Sequence, residues 1–266
     1  VFFVDSSNEY WDRGRVTALN HVTLDGRSDA TLPGNVRFYH VAGTQHSPGT
    51  FPPAADPLRQ LATNVLDQRP IMRALLASLE RWIRTGASPP ASRHPTIASG
   101  SLVAQRDIRF AAIRGVQWPY DVLGGFRSDL PGGLKAHPLP FLVPQVDGDG
   151  NEVGGVRLPD VAVPLATHTG WAFRSASAGS PGQLSHLMGS YLPLARSRED
   201  REARGDPRPS IAERYGSRED YLRQYEAAAR ALIAERFLLE EDLARTMARG
   251  AAHWDLLMGS PEAAPR

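Results

Sequence analysis

The sequence predicts an α/β fold with a parallel sheet at its start and helices at its end. Three observations predict it. The run 1–4 ("VFFV") is continuously apolar and 36–41 is apolar but for Arg37 and His40, as in strands covered on both faces of a parallel sheet. A helix-competent stretch and a turn-rich loop separate them, which makes a βαβ unit. Two amphipathic helices follow, near residues 75 and 225, on either side of a Gly- and Pro-rich β-type region.

Taken in order, strand 1–4 runs into "DSSNEYWDRGRVTAL", where Asp5, Ser6, Ser7 and Asn8 can each cap a short helix over 9–19. Asp25-Gly26 and Pro33-Gly34 punctuate the next loop. Strand 36–41 contains His40 and ends in a small-residue loop that stops at His46. "SPGTFPPAADP" excludes regular structure. In "RPIMRALLASLERWIRTG", Pro70 suits a first turn, and Ile71, Leu75, Leu79, Trp82 and Ile83 form one apolar face, with Trp82 in the core. Gly86 and Pro89-Pro90 stop the helix.

Short β-type runs follow at 101–104, 139–146, 153–158 and 161–167, and "QVDGDGNEVGG" reads as a hairpin turn. The stretch 185–258 is helical in pattern. Ser210 with Glu213 and Ser217 with Asp220 form capping boxes. Tyr221, Tyr225, Ala229, Leu232, Ile233 and Phe237 form the buried face of the second long helix. The expected organisation is 1–95 as sheet core, 96–182 as a β-rich insertion or appended layer, 183–258 as a helical segment on the core, and 259–266 as a disordered tail.

Composition narrows the function. The 266 residues can bury a sizeable core, with 41% hydrophobic and 22% charged residues. A net charge of +1 gives no field that argues for nucleic acid or an anionic membrane. Lys135 is the sole lysine, and the arginines are scattered among acids. The absence of cysteine excludes disulfides, thiolate metal sites and a cysteine nucleophile. No apolar run approaches the roughly 20 residues of a spanning helix. The chain opens on a core-strand sequence without methionine, so it is expected to be part of a longer protein beginning mid-domain.

His46 is the first candidate for chemistry, because open α/β sheets place ligands at the carboxyl ends of their strands. Gly43 lets the loop bend, and Thr44 and Gln45 are placed to orient the ring. Glu9 and Asp5 lie just past the first strand, so an acid and a histidine leave the same sheet edge. That is the acid–base part of a Ser-His-acid triad, in the chain order of α/β-hydrolases. Capping and helix-dipole roles are the competing readings for both acids. No Gly-x-Ser-x-Gly elbow occurs; "MGSYL" and "IASGSL" lack its setting. A serine nucleophile is therefore expected upstream of Val1.

Two weaker candidates remain. Asp147, Asp149 and Asn151, with Glu152, gather oxygen ligands as in a calcium loop, but Glu152 and Leu158 stand where an EF-hand needs glycine and glutamate, which favours a plain turn. His168 and Trp171 follow a strand and are placed to line a substrate pocket or to pack. His21, His94, His137, His186 and His253 show no metal-ligand spacing, and His186 and His253 are expected at the surface.

"SSNEYW", "NVRFYHVAGTQH", "RALLASLERWIRTGASPPASRHP", "VPQVDGDGNEVGGVRLPDVAVPLATHTGWAFR", "GSYLPLARSREDREARGDPRPSIAERYGS" and "ERFLLEEDLAR" together resemble the C-terminal portion of a little-characterised bacterial α/β-hydrolase-domain family. The resemblance runs from about residue 1 to 245. It implies an α/β-hydrolase fold and esterase-like activity without a cofactor, with Glu9 of "NEYW" as the acid and His46 of "GTQH" as the base. The expected partners are a small ester-type substrate and the N-terminal half of the same protein, with neither nucleic acid nor membrane. Without nucleophile and oxyanion-hole amides, this chain alone is expected to be inactive. The alternative is a non-catalytic binding module.

Overall fold

The computed structural model describes residues 1–12, 16–120, 122, 124–127 and 138–259. Lys135, His137 and the tail 260–266 lie outside them. Strands β1 (Phe2–Ser6) and β2 (Arg37–Val41) pair in parallel, with Asp5 opposite His40 and Ser6 opposite Val41. The βαβ unit is therefore present, and the loops after both strands leave one edge side by side. Its helix is shorter than the pattern 9–19 predicts: α1 covers Asn8–Trp11, and a 3₁₀ turn covers Thr17–Asn20. Ser7 stands at the cap position without capping, because its hydroxyl donates to Glu152.

β1 is not covered on both faces. Phe3 is 44% exposed, and among the described residues no strand pairs with β1 on its other side. Helix α2 (Arg69–Thr85) takes Pro70 in its first turn and ends at left-handed Gly86, whose N–H bonds the Trp82 carbonyl at 2.9 Å. Ile71, Ala74 and Leu75 are buried. Trp82 is only half-buried, with its ring 5.9 Å from Phe2 and the Arg37 guanidinium 4.9 Å above it. Ile83 is exposed, contrary to expectation. At 3.6 residues per turn it lies about 120° round the helix from Ile71, on a stripe with exposed Met72 and Leu76.

In the middle region β4 (Leu102–Ala104) and β5 (Leu142–Pro144) form an antiparallel pair. The expected strand 153–158 is absent; Gly154-Gly155 interrupts it, and only Val156 bridges to Val41. The expected strand 161–167 opens instead as helix α3 (Pro159–Ala162), because Pro159 starts a helical turn, and only β6 (Ala166–His168) is extended. Strand β7 (Ser190–Pro193) falls in the stretch read as helical. It lies between β3 (Ala62–Thr63) and β6, antiparallel to both, so one sheet draws strands from all three sequence stretches.

Helices α4 (Arg198–Arg204), α5 (Ile211–Arg214), α6 (Arg218–Ala234) and α7 (Leu243–Met258) follow. The Ser210–Glu213 box closes in both directions. The Ser217 box is only half made, because Asp220 reaches the Gly216 N–H at 3.1 Å instead of returning to Ser217. α6 buries Tyr221, Tyr225, Ala229 and Leu232: Ala229 and Leu232 join Phe237, Tyr39, Val41 and Leu75 in one core, and Tyr221 and Tyr225 pack with Leu165, Leu194 and Trp254 in another. Each such aliphatic or aromatic side chain contributes roughly 1.5–3 kcal/mol by leaving water. No helix among the described residues is long and apolar enough to cross a membrane.

Candidate active site

The two loops leaving the parallel edge are joined before any side chain is considered: the Asn8 N–H bonds the Thr44 carbonyl at 3.2 Å. One turn of α1 then carries Glu9 towards His46. The Glu9 Oε1 accepts from His46 Nδ1 at 2.5 Å, and Glu9 Oε2 accepts from the Ser6 hydroxyl. A neutral ring that donates through Nδ1 keeps its lone pair on Nε2. No described residue bonds Nε2. His46 is 40% exposed and Glu9 16%, and both line a cavity of about 260 Å³. The acid and the histidine are thus brought together as the spacing suggests.

Asp5 lines the same cavity but makes no hydrogen bond to His46. Burial, reinforced by the nearby Glu9 charge and opposed by His40, pushes its carboxyl up to about 6. Glu9, not Asp5, holds the ring. Thr44 and Gln45 do not orient it: the Thr44 hydroxyl donates to the Val41 carbonyl at 2.7 Å, and Gln45 Oε1 accepts the Gly189 N–H at 3.1 Å. They fix the loop backbone instead.

A residue read only as part of an acidic turn holds both loops. Glu152 is 4% exposed and accepts from the Ser7 hydroxyl on one oxygen. On the other it accepts from the Gly43 N–H at 2.7 Å and bonds His40 Nε2 at 2.8 Å. His40 is fully buried, so its pair with the Glu152 carboxylate is scaffold where the His46 pair is accessible. No local signal marks Glu152, since its partners lie more than a hundred residues earlier. Gly170 completes the support: the Asn8 side-chain amide donates to its carbonyl at 2.7 Å, and a Cβ there would lie 2.2 Å from the Ser7 Oγ.

A sequence model of the alpha/beta hydrolase domain family matches residues 1–248. The chain belongs to this family. No curated protein and no solved structure matches it.

In this alpha/beta hydrolase domain the remaining sequence candidates lie elsewhere. His168 and Trp171 are 1% and 2% exposed and line a void of about 10 Å³, room for one water at most. Neither lines the His46 cavity. Trp171 sits in an aromatic cluster with Trp11, Phe110 and Trp118, and burial pushes the His168 ring down to about 3. His253 is fully buried rather than superficial, its Nε2 2.8 Å from the Tyr191 hydroxyl, whereas His186 is exposed in a turn beside Asp12.

The oxygen ligands of the 147–152 turn are committed to protein partners. Asp147 Oδ1 accepts the Asp149 and Asn151 N–H groups, both at 3.0 Å. Asp149 is held by the Arg214 fork, and the Asn151 amide bonds β6 backbone at Ala166 and His168. Val146 bridges Glu152, as a hairpin requires. Among the described residues no three His, Asp or Glu side chains gather as a metal site. The serines of the two near-motifs are structural: Ser190 is buried and donates to the Trp171 carbonyl at 3.0 Å, and Ser101 bonds Thr96 and Ser99.

Proposed function

We propose that Glu9 and His46 are the acid and base of a Ser-His-acid triad in a carboxylic-ester hydrolase, with the serine on a segment preceding Val1. The reading is carried by one observation, the 2.5 Å contact between Glu9 Oε1 and His46 Nδ1 at the shared edge of two parallel strands, beside a cavity. In this mechanism His46 Nε2 takes the serine proton as the hydroxyl oxygen attacks the ester carbon. Glu9 fixes the tautomer and stabilises the imidazolium. The same proton then passes to the leaving alcohol, and water repeats the sequence to release the acid.

Membership of the hydrolase family supports the reading. So do the free edge of β1, with Phe3 exposed, and the exposed Met72, Leu76 and Ile83 of α2, which give a preceding strand and helix apolar surface to cover. The test is fluorophosphonate labelling of the full-length protein, with the modified residue located by mass spectrometry. A labelled serine upstream of Val1, lost with turnover of p-nitrophenyl esters in His46→Ala, is the expected result. Labelling inside this chain, or His46→Ala activity within a few-fold of wild type, rejects it.

A further inference from the structure

We infer that a second cavity, separate from the Glu9–His46 pair, is a binding site for a small amphipathic carboxylate. The cavity holds about 450 Å³, within the range of roughly 300–1,000 Å³ typical of small-molecule sites. It lies among the 49–51 loop, the start of α2, α3, α6 and α7. One wall is apolar, made by Phe51, Leu158, Leu232 and Leu238. The same cavity is lined by Arg245 and Arg249, one turn apart on α7 and therefore on one face of it.

These two arginines are bound differently from many others among the described residues. Arg69, Arg84, Arg93, Arg208 and Arg218 each donate hydrogen bonds to a carboxylate. Arg245 makes no hydrogen bond among the described residues; its ion pair with Asp67 is 3.6 Å long, and its side chain is 63% exposed. Arg249 donates to the Val65 carbonyl at 2.9 Å and lies 4.2 Å over the Phe51 ring, while its Nε stands 3.7 Å from Asp160 and unpartnered. Asp160, 7% exposed, lines the same cavity, and its Oδ1, 3.7 Å from Arg249 Nε and 3.8 Å from His253 Nδ1, accepts no hydrogen bond.

The charges select the ligand. Arg69, Arg245 and Arg249 face Asp67 and Asp160 around the cavity, which leaves one net positive charge. A monoanion balances it, whereas a dianion adds repulsion against both aspartates. The Asp160 carboxylate repels an anion, which therefore pairs with exposed Arg245, while the ligand's uncharged tail packs on the apolar lining residues. A guanidinium matches a carboxylate in geometry as well as charge. Arg69 lines both this cavity and that of His46, yet the site needs no catalytic role for His46.

Isothermal titration of the chain with octanoate, 1-octanol and inorganic phosphate tests the assignment. Octanoate is expected to bind in the millimolar range or tighter, and octanol and phosphate each at least about tenfold more weakly. Arg245→Glu, a change at an exposed side chain that leaves the melting temperature in place, is expected to weaken octanoate about tenfold or more. Arg249→Met is the second variant, with the same expectation. Absence of octanoate binding, equal binding of octanol or phosphate, or unchanged binding in Arg245→Glu overturns the site.

Discussion

Glu152 Oε2 and His40 Nε2 meet at 2.8 Å although the residues are 112 positions apart, and neither side chain is more than 5% exposed. The domain therefore carries a buried carboxylate–imidazole pair as well as the open Glu9–His46 pair. The buried pair clamps the backbone of the loops that present the open one, through the Ser7 hydroxyl and the Gly43 N–H. A residue that does not line the His46 cavity thus holds the loops that carry Glu9 and His46.

Replacing Glu152 by Gln removes the charged acceptor shared by three donors. A hydrogen bond to a buried charged group contributes about 1.5–3 kcal/mol, so the loss expected in urea unfolding is about 3 kcal/mol or more. A midpoint shift worth less than about 1 kcal/mol would show that Glu152 is not the clamp.

Glu9→Gln keeps the shape of the side chain but offers the ring an amide. In the full-length protein, kcat on p-nitrophenyl esters is expected to fall by about a hundredfold or more, from loss of the correct tautomer and of imidazolium stabilisation. Asp5→Asn, whose parent makes no hydrogen bond to His46, is expected to lose far less. Equal losses in the two variants would contradict the assignment of Glu9 as acid.

Burial pushes His21 and His168 down to about 3 and His253 down to about 4, whereas the unfolded rings take up protons near 6.5. The unfolded chain then binds more protons below 6.5, and stability falls as pH drops from 6.5 towards 4. His253→Gln removes one of these rings and is expected to flatten the slope of unfolding free energy against pH in that window. An unchanged slope excludes His253 as a contributor.

Asp5 acts in the opposite sense. Its folded pKa, raised to about 6, makes its contribution greatest below the unfolded value near 3.9, and the contribution is lost as pH rises through 6. Asp5→Asn is therefore expected to stabilise the chain at pH 8 by about 1 kcal/mol, allowing for solvent screening on its open side, and to be neutral at pH 4. Thermal melts at the two pH values decide it.

Gly170→Ala places a methyl group 2.5 Å from the Ser7 carbonyl carbon as well as against its hydroxyl. Overpacking of this kind costs about 1–3 kcal/mol, and the cost falls on the loop that carries Glu9. Wild-type stability in this variant would mean that the α1 loop yields freely.

The parallel pair β1–β2, helix α2 and helix α6 were legible because each rests on local periodicity: continuous apolar runs, or apolar residues every third and fourth position. The juxtaposition of a carboxylate with His46 was legible for a related reason. Parallel neighbours deliver the residues just past their ends to one edge, so chain position alone brings an acid, Asp5 or Glu9, to the edge that carries His46. The four-residue strand β7 was not legible, since a run that short carries no period and its partners β3 and β6 are distant. Nor was the choice between Glu9 and Asp5, which depends on one turn of α1. Only the tertiary structure decided that His253 and His168 are buried, that Glu152 binds both loops, and that Arg245 and Arg249 line one cavity with Phe51, Leu158 and Leu232. Each of these depends on which distant surfaces meet, and pairings across such separations leave no periodic trace in the chain.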